Sequence, residues 1–554
     1  MGTYLNPGNM SYQMAINSEI FIDKTEMLRY LNAVVNTQQR FVSVSRPRRF
    51  GKTIAADMIC AYYDGSADSH KMFEELEISK NSVDRPDFRG IKWDQYLGQF
   101  DVVRLVMTDF MEDSDTVSDM LDYLMEEVID ELKKVYPQVE YGKRNNLRNI
   151  FERIYRVTER QFVIVIDEWD AVFRVWKDDE RGHTEYLEFL RDWLKDKTYI
   201  SLVYMTGILP IKKYGEHSAL NMFTEYSMTS PKSLARYAGF TSAEVRMICD
   251  ERNLNFESMK LWYDGYRLSE RPTYSLVKDM KDTPEDGVYE IYSPLSVVNA
   301  ARYKRIENYW NKSETYEALA EYIRKDYDGL KDAVALLMDG GRVNIDISSY
   351  QNDMTTFNGR DDILSLLIHL GYLGFDDERS EVFIPNREIL DEFRTSTKST
   401  EWVSTFESFE RSQRLLKATW DCDEREVVAL LEQAHDCAGN RTYNDEAALS
   451  YAIRLAYYAA QKYYTEILEL DTGKGYADIL YIPSPLYADK PVLLIELKYE
   501  KSAQAAIRQI HDKRYQDRLE HYKGNILLVG INYDKDNRSD SEGFKHHTCQ
   551  IKRA

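Results

Sequence analysis

Cysteine is scarce in this chain of 554 residues, and its five copies, Cys60, Cys249, Cys422, Cys437 and Cys549, are scattered without paired spacing. That excludes a disulfide framework and a cysteine-built zinc site, and it points to a reducing compartment. Long apolar runs are missing too, for nothing approaches the roughly 18 residues of a membrane span. The first twenty residues lack a basic segment followed by an apolar core, and Asn6 stands where a myristoylation signal has Ser or Thr. A cytoplasmic protein with no membrane partner is expected. Net positive charge is also absent. With 72 Lys and Arg against 93 Asp and Glu, the formal charge is −21, so the surface as a whole repels nucleic acid and any such binding needs a local basic patch.

What is present is the material of folded cores: 43% hydrophobic residues, including 41 tyrosines and 21 phenylalanines. The length implies roughly three or four domains at about 100–200 residues each. Up to about residue 230, short β-branched runs at 40–45, 100–106, 162–166 and 199–205 alternate with amphipathic stretches at 52–63, 116–136 and 185–195. Such alternation predicts a mostly parallel, covered sheet. Residues 233–311 turn helical, and 313–396 combine helices with a hairpin-like piece at 372–385, a pattern that suits a small winged module or a plain connector. Residues 401–438 read as acidic helix, and from 444 the order is helix, strand, strand, helix, strand.

Two places carry chemistry. In the first, Gly51-Lys52-Thr53 follows an apolar strand and opens a helix, the context in which backbone amides and a lysine cradle phosphates. Lys52 would reach the phosphates and the Thr53 hydroxyl would ligate Mg²⁺. The usual first glycine is replaced by Arg46, and Pro47 removes an amide donor. Arg46, Arg48 and Arg49 are basic enough to touch phosphate, or equally to bind an acidic neighbour. The run at 162–166 ends in Asp167 and Glu168, suited to holding Mg²⁺ through water and polarising the attacking water. Thr206, ending the next run, is a candidate γ-phosphate sensor. For each taken singly, the plainer reading is a strand end with solvated groups.

In the second, Asp478 ends one apolar run, and Glu496 and Lys498 lie one residue apart on another, so the three can project from one side of neighbouring strands. Two carboxylates suit a hard divalent cation, and an ammonium suits developing negative charge, as a metal-dependent phosphodiesterase requires. Glu446, on the helix ahead, is placed to complete the metal shell. From Lys498 to Lys523 there are seven Lys or Arg against four Asp or Glu, a basic surplus suited to a DNA backbone, although a solvated helix is the plainer reading.

These sites are accompanied by Phe21-Ile22-Asp23-Lys24-Thr25, Ile166-Asp167-Glu168-Trp169-Asp170, Trp262-Tyr263-Asp264-Gly265-Tyr266, Ile291-Tyr292-Ser293-Pro294-Leu295-Ser296, Tyr309-Trp310, Gly371-Tyr372-Leu373, Gly475-Tyr476-Ala477-Asp478 and Val529-Gly530-Ile531-Asn532. Together they resemble a prokaryotic family that joins an AAA-ATPase-like domain to a PD-(D/E)xK superfamily nuclease domain. The resemblance covers almost the whole chain. It implies an α/β architecture: a P-loop AAA-like parallel-sheet ATPase domain at 1–232 with a helical lid at 233–311, then a helical, winged-helix-like middle region at 312–400. A restriction-endonuclease-like α/β domain with a helical lead-in follows at 401–554. The family's phosphate loop looks like RPRRFGK followed by Ser or Thr, which accounts for the missing glycine. By position, Lys52, Thr53, Asp167 and Glu168 would serve ATP and its Mg²⁺. Glu446, Asp478, Glu496 and Lys498 would serve cleavage with Mg²⁺ or Mn²⁺, while Glu446 and Gln509 fall where the superfamily varies. The expectation is an ATP-binding, ATP-hydrolysing protein that controls a DNA endonuclease; the alternatives are RNA cleavage, or a nucleotide-switched scaffold with an inactive nuclease fold. No feature demands an oligomeric ring.

Overall fold

The computed structural model describes residues 2–80, 90–142, 146–211, 220–270, 287–310, 316–324, 327, 329–352, 354–397, 402–438, 446–471, 476–484, 487–512, 525–534 and 546–554. The chain forms two compact units, Met1–Tyr322 with Asn344–Phe393, and Ile323–Val343 with Arg394–Ala554.

The first unit is built on five parallel strands, β1 (Phe41–Ser45), β2 (Asp101–Val106), β3 (Phe162–Asp167), β4 (Ile200–Gly207) and β5 (Thr224–Tyr226), in the order β2-β3-β4-β1-β5. β1, β3 and β4 are buried at every position, as expected of parallel strands covered on both faces. Val42, Val44, Val163, Val165 and Leu202 pack in one cluster with Ile59, Tyr62 and Tyr63 of helix α1 (Lys52–Tyr63). Each such buried aliphatic side chain stabilises the fold by roughly 1.5–3 kcal/mol.

The expected strands and helices are present, with two differences. β5 is only three residues long, too short for a periodic pattern to mark it. The helix expected at 185–195 is Glu180–Leu194, because the Asp179 side chain accepts from the Gly182 N–H at 2.9 Å and starts it earlier. Beyond the sheet, helices Ser242–Arg252, Phe256–Tyr263 and Pro294–Tyr303 surround a small antiparallel sheet of Phe240–Thr241, Val288–Tyr292 and Tyr266–Ser269. The hairpin is Gly374–Asp376 paired with Glu381–Phe383, after helix Arg360–Leu370. Gly265 has φ 108°, and a Cβ there would lie 2.0 Å from the Pro385 carbonyl oxygen, so only glycine fits.

The second unit carries a mixed sheet in the order Tyr464–Asp471, Tyr476–Pro483, Val492–Tyr499, Ile526–Tyr533, His547–Arg553. Strands 492–499 and 526–533 are parallel, and helix Ala503–Asp512 lies between them in the chain; the other pairs are antiparallel. The two flanking strands add to the expected order. Side chains alternate between faces: Leu493, Ile495 and Leu497 pack with Leu449 and Ile453 of helix Glu446–Ala456, whereas Val492 and Leu494 pack with Ile507 and Ile510. A Cβ on Gly530 would lie 2.6 Å from the Ala503 carbonyl oxygen, so this glycine lets helix 503–512 sit against the sheet. Residues 513–524, which follow this helix, lie outside the described residues. Among the described residues no helix is long and apolar enough to cross a membrane.

Candidate functional site

The loop between β1 and α1 contains two left-handed residues, Arg49 at φ 67° and Gly51 at φ 81°, and a Cβ on Gly51 would meet nothing within 4 Å. The open side of the loop therefore faces no packing at the position where α1 begins. The Lys52 ammonium donates to the carbonyls of Arg46 at 3.1 Å and Pro47 at 2.8 Å. Burial of that end pushes its pKa down to about 8, against the opposing charges of Asp170, Asp167 and Glu168. Asp167, buried at the end of β3, has its pKa raised by burial, while a hydrogen bond with the Thr53 side chain and the charge of Lys52 pull it down. Lys52, Thr53, Asp167 and Glu168 are thus brought to one place at the carboxyl ends of β1 and β3. This donor set suits a triphosphate with a hard cation: an ammonium, a helix start, a hydroxyl and a carboxylate.

The arginines divide. Arg48 is exposed, and Arg49 donates to the Trp310 carbonyl at 3.2 Å. Arg46 is fully buried, donating from one Nη to the Ser45 and Tyr226 carbonyls at 2.8 Å each, and burial pushes its pKa down to about 10. In place of the phosphate contact expected of it, Arg46 crosslinks β1 to β5. Thr206 is likewise fully buried, and its hydroxyl donates to the Val44 carbonyl at 2.9 Å, across the β1–β4 pair rather than out of the sheet end. Asp170 is a site residue to which the sequence attached no role. It is fully buried and accepts from the N–H groups of Ile208 and Leu209 at 3.2 and 2.9 Å, tying the segment after β4 to the segment after β3. Its signal in the sequence is an acid three residues past a strand-end acid, which periodicity cannot separate from a solvated turn.

In the second unit, Ile479 pairs with Ile495, and one further step of that antiparallel register sets Asp478 level with Glu496. Asp478 Oδ2 accepts from the Leu497 N–H at 2.7 Å. Lys498 Nζ donates to Glu496 Oε1 at 3.0 Å and to the Leu497 carbonyl at 2.8 Å, and both side chains are buried. Gln509 Nε2 also donates to Glu496 Oε1, so the helix seated by Gly530 delivers an amide to the acid. Asp478, Glu496, Lys498 and Gln509 meet. Glu446 opens a helix that packs on the sheet face of Leu493, Ile495 and Leu497, the face opposite Glu496 and Lys498; its side chain lies outside the described residues. Among the described residues no group of three or more His, Cys, Asp or Glu side chains is placed to hold a metal. Asp478 and Glu496 are the two carboxylates that the strand register brings together here.

Residues 8–215 match the family model described as Predicted AAA-ATPase, and residues 448–542 match that of the PD-(D/E)XK nuclease superfamily. The chain joins these two domains, an AAA-ATPase-like one and a nuclease-superfamily one. No curated protein matches it. Solved structures similar to the chain at low identity include these two. The Aeropyrum pernix ORC2 protein (ADPNP-ADP complexes) is 12% identical, with 69% of this chain and 98% of that one covered and a TM-score of 0.27. Cdc6p from Pyrobaculum aerophilum is 10% identical, with 67% and 92% covered and a TM-score of 0.20.

Proposed function

We propose that the protein binds and hydrolyses ATP through its first unit and cleaves DNA through its second, with nucleotide state controlling cleavage. For the nucleotide part, the supporting observation is that Lys52 and Thr53 at the start of α1 and Asp167 and Glu168 at the end of β3 are close enough to act on one another. Lys52 and the start of α1 hold the phosphates, Thr53 and Asp167 hold Mg²⁺, and Glu168 orients the attacking water. For cleavage it is the meeting of Asp478, Glu496 and Lys498 on adjoining strands. A divalent ion, when bound, supplies an activated water and neutralises charge on the phosphodiester. Asp478 and Glu496 serve as its carboxylate ligands. Lys498, its ammonium beside Glu496, stabilises charge developing on phosphorus oxygens, and Gln509 orients the Glu496 carboxylate. The folding units 1–232, 233–311, 312–400 and 401–554 remain part of this proposal.

A second reading, a nucleotide-switched scaffold with an inactive nuclease fold, draws on one observation: Glu496 Oε1 is engaged by both Lys498 and Gln509. Incubation of the full chain with plasmid DNA, linear DNA and labelled RNA, in Mg²⁺ or Mn²⁺ and with or without ATP, separates the readings. DNA nicking that depends on the metal and responds to ATP is the expected result. Cleavage of RNA alone redirects the substrate, and no cleavage under any condition selects the scaffold.

A further inference from the structure

Glu168 lies one residue beyond β3, and its carboxylate Oε2 accepts from Arg174 Nη2 at 2.9 Å. Arg174 belongs to the short helix Ala171–Val175, and its side chain is only 9% exposed. Its Nε donates to the fully buried Asp170 at 3.0 Å, and Asp170 in turn holds the amides of Ile208 and Leu209 beyond β4. One guanidinium therefore joins the acid placed to orient water at the nucleotide to the segment that follows the neighbouring strand.

We propose that Arg174 is a positioning residue that latches Glu168 in a resting arrangement, and that ATP hydrolysis requires this ion pair to open. A carboxylate whose Oε2 is paired with a guanidinium is held in one direction and is a weaker base toward the attacking water, and the charge of arginine is permanent. The second anchor on Asp170 fixes the guanidinium, so the movable partner is Glu168, whose side chain is 37% exposed. Opening would leave Arg174 paired with Asp170, so no buried acid loses its cation in the active arrangement. The latch rests on the ATP-hydrolysis reading given above.

Arg174→Lys tests it, because lysine keeps a cation beside Asp170 but is a point charge that cannot serve both acids as the arginine fork does. In the full chain the expected result is a kcat for ATP hydrolysis raised roughly fivefold, the factor that about 1 kcal/mol of ion pairing commands. Affinity for a fluorescent ATP analogue should stay within about twofold, and in a Glu168→Gln background Arg174→Lys should change nothing further. An unchanged or lowered kcat in the folded variant overturns the latch, as does an equal effect in the Glu168→Gln background. Should Arg174→Lys fail to fold, the charge-neutral pair Asp170→Asn with Arg174→Gln carries the same test. Wild-type protein that does not bind the analogue overturns the nucleotide reading and the latch with it; wild-type protein that turns over ATP at a rate indifferent to residue 174 overturns the latch alone.

Discussion

The two units bury a glutamate in different ways. In the second, Glu496 shares its carboxylate with the Lys498 ammonium at 3.0 Å. In the first, the donors to the fully buried Glu388 among the described residues are neutral: the N–H groups of Tyr309 at 2.6 Å and Trp310 at 2.9 Å, and the Ser296 hydroxyl at 2.8 Å. Burial outweighs those three hydrogen bonds and pushes the Glu388 pKa up to about 7. The contrast separates two uses of a buried acid. A cation alongside favours the charged form that a metal or phosphate chemistry needs, whereas neutral donors serve to fix local backbone, here the turn at Tyr309 and Trp310.

The strongest way to break the contrast is Lys498→Ala, which leaves Glu496 buried without its ammonium. Loss of DNA cleavage to background is expected with ATP binding retained, together with about 3 kcal/mol of destabilisation in denaturant melts. Cleavage at the wild-type rate would remove Lys498 from the chemistry. The double change Glu496→Gln with Lys498→Met should recover most of the stability and none of the cleavage.

Glu388→Gln sharpens the comparison through pH. A carboxyl whose pKa is about 7 when folded, against an ordinary value near 4.5, binds more protons folded than unfolded between those limits. Stability contributed by the protonated acid is thus complete below about pH 4.5 and declines as pH rises toward 7, by roughly 3 kcal/mol in total. Glu388→Gln should flatten that decline. An identical pH dependence in the variant would mean that the three hydrogen bonds offset burial in full.

The smallest effect expected is that of Thr206→Val, which removes the hydroxyl bonded to the Val44 carbonyl and should cost about 1 kcal/mol with unchanged kcat for ATP hydrolysis. A large fall in kcat with stability intact would return Thr206 to the sensor role that its strand-end position suggested.

Much of this was legible in residue order. The run that became β3 is continuous and apolar because both sheet faces are covered, and a glycine followed by lysine and threonine at a strand's end marks the start of α1. The alternation in Glu496-Leu497-Lys498 places acid and lysine on one face by geometry alone. Features without local periodicity were not legible. β5 and the two-to-five-residue strands of the small antiparallel sheet are too short to show a pattern, and Asp170 and Arg174 look like any charged turn until the segment after β4 closes over them.

By itself, then, the sequence determined the longer strands and helices around the two sites and which chemistry-bearing side chains stand at their ends, since both follow from spacing along the chain. Only the tertiary structure decided which of those side chains face a site. Arg46 and Thr206 are polar residues in the expected places, yet the first crosslinks β1 to β5 and the second bonds β1 from β4. Buried groups must take their partners from whichever carbonyls packing brings near, and that choice is set by strand neighbours far apart in the chain.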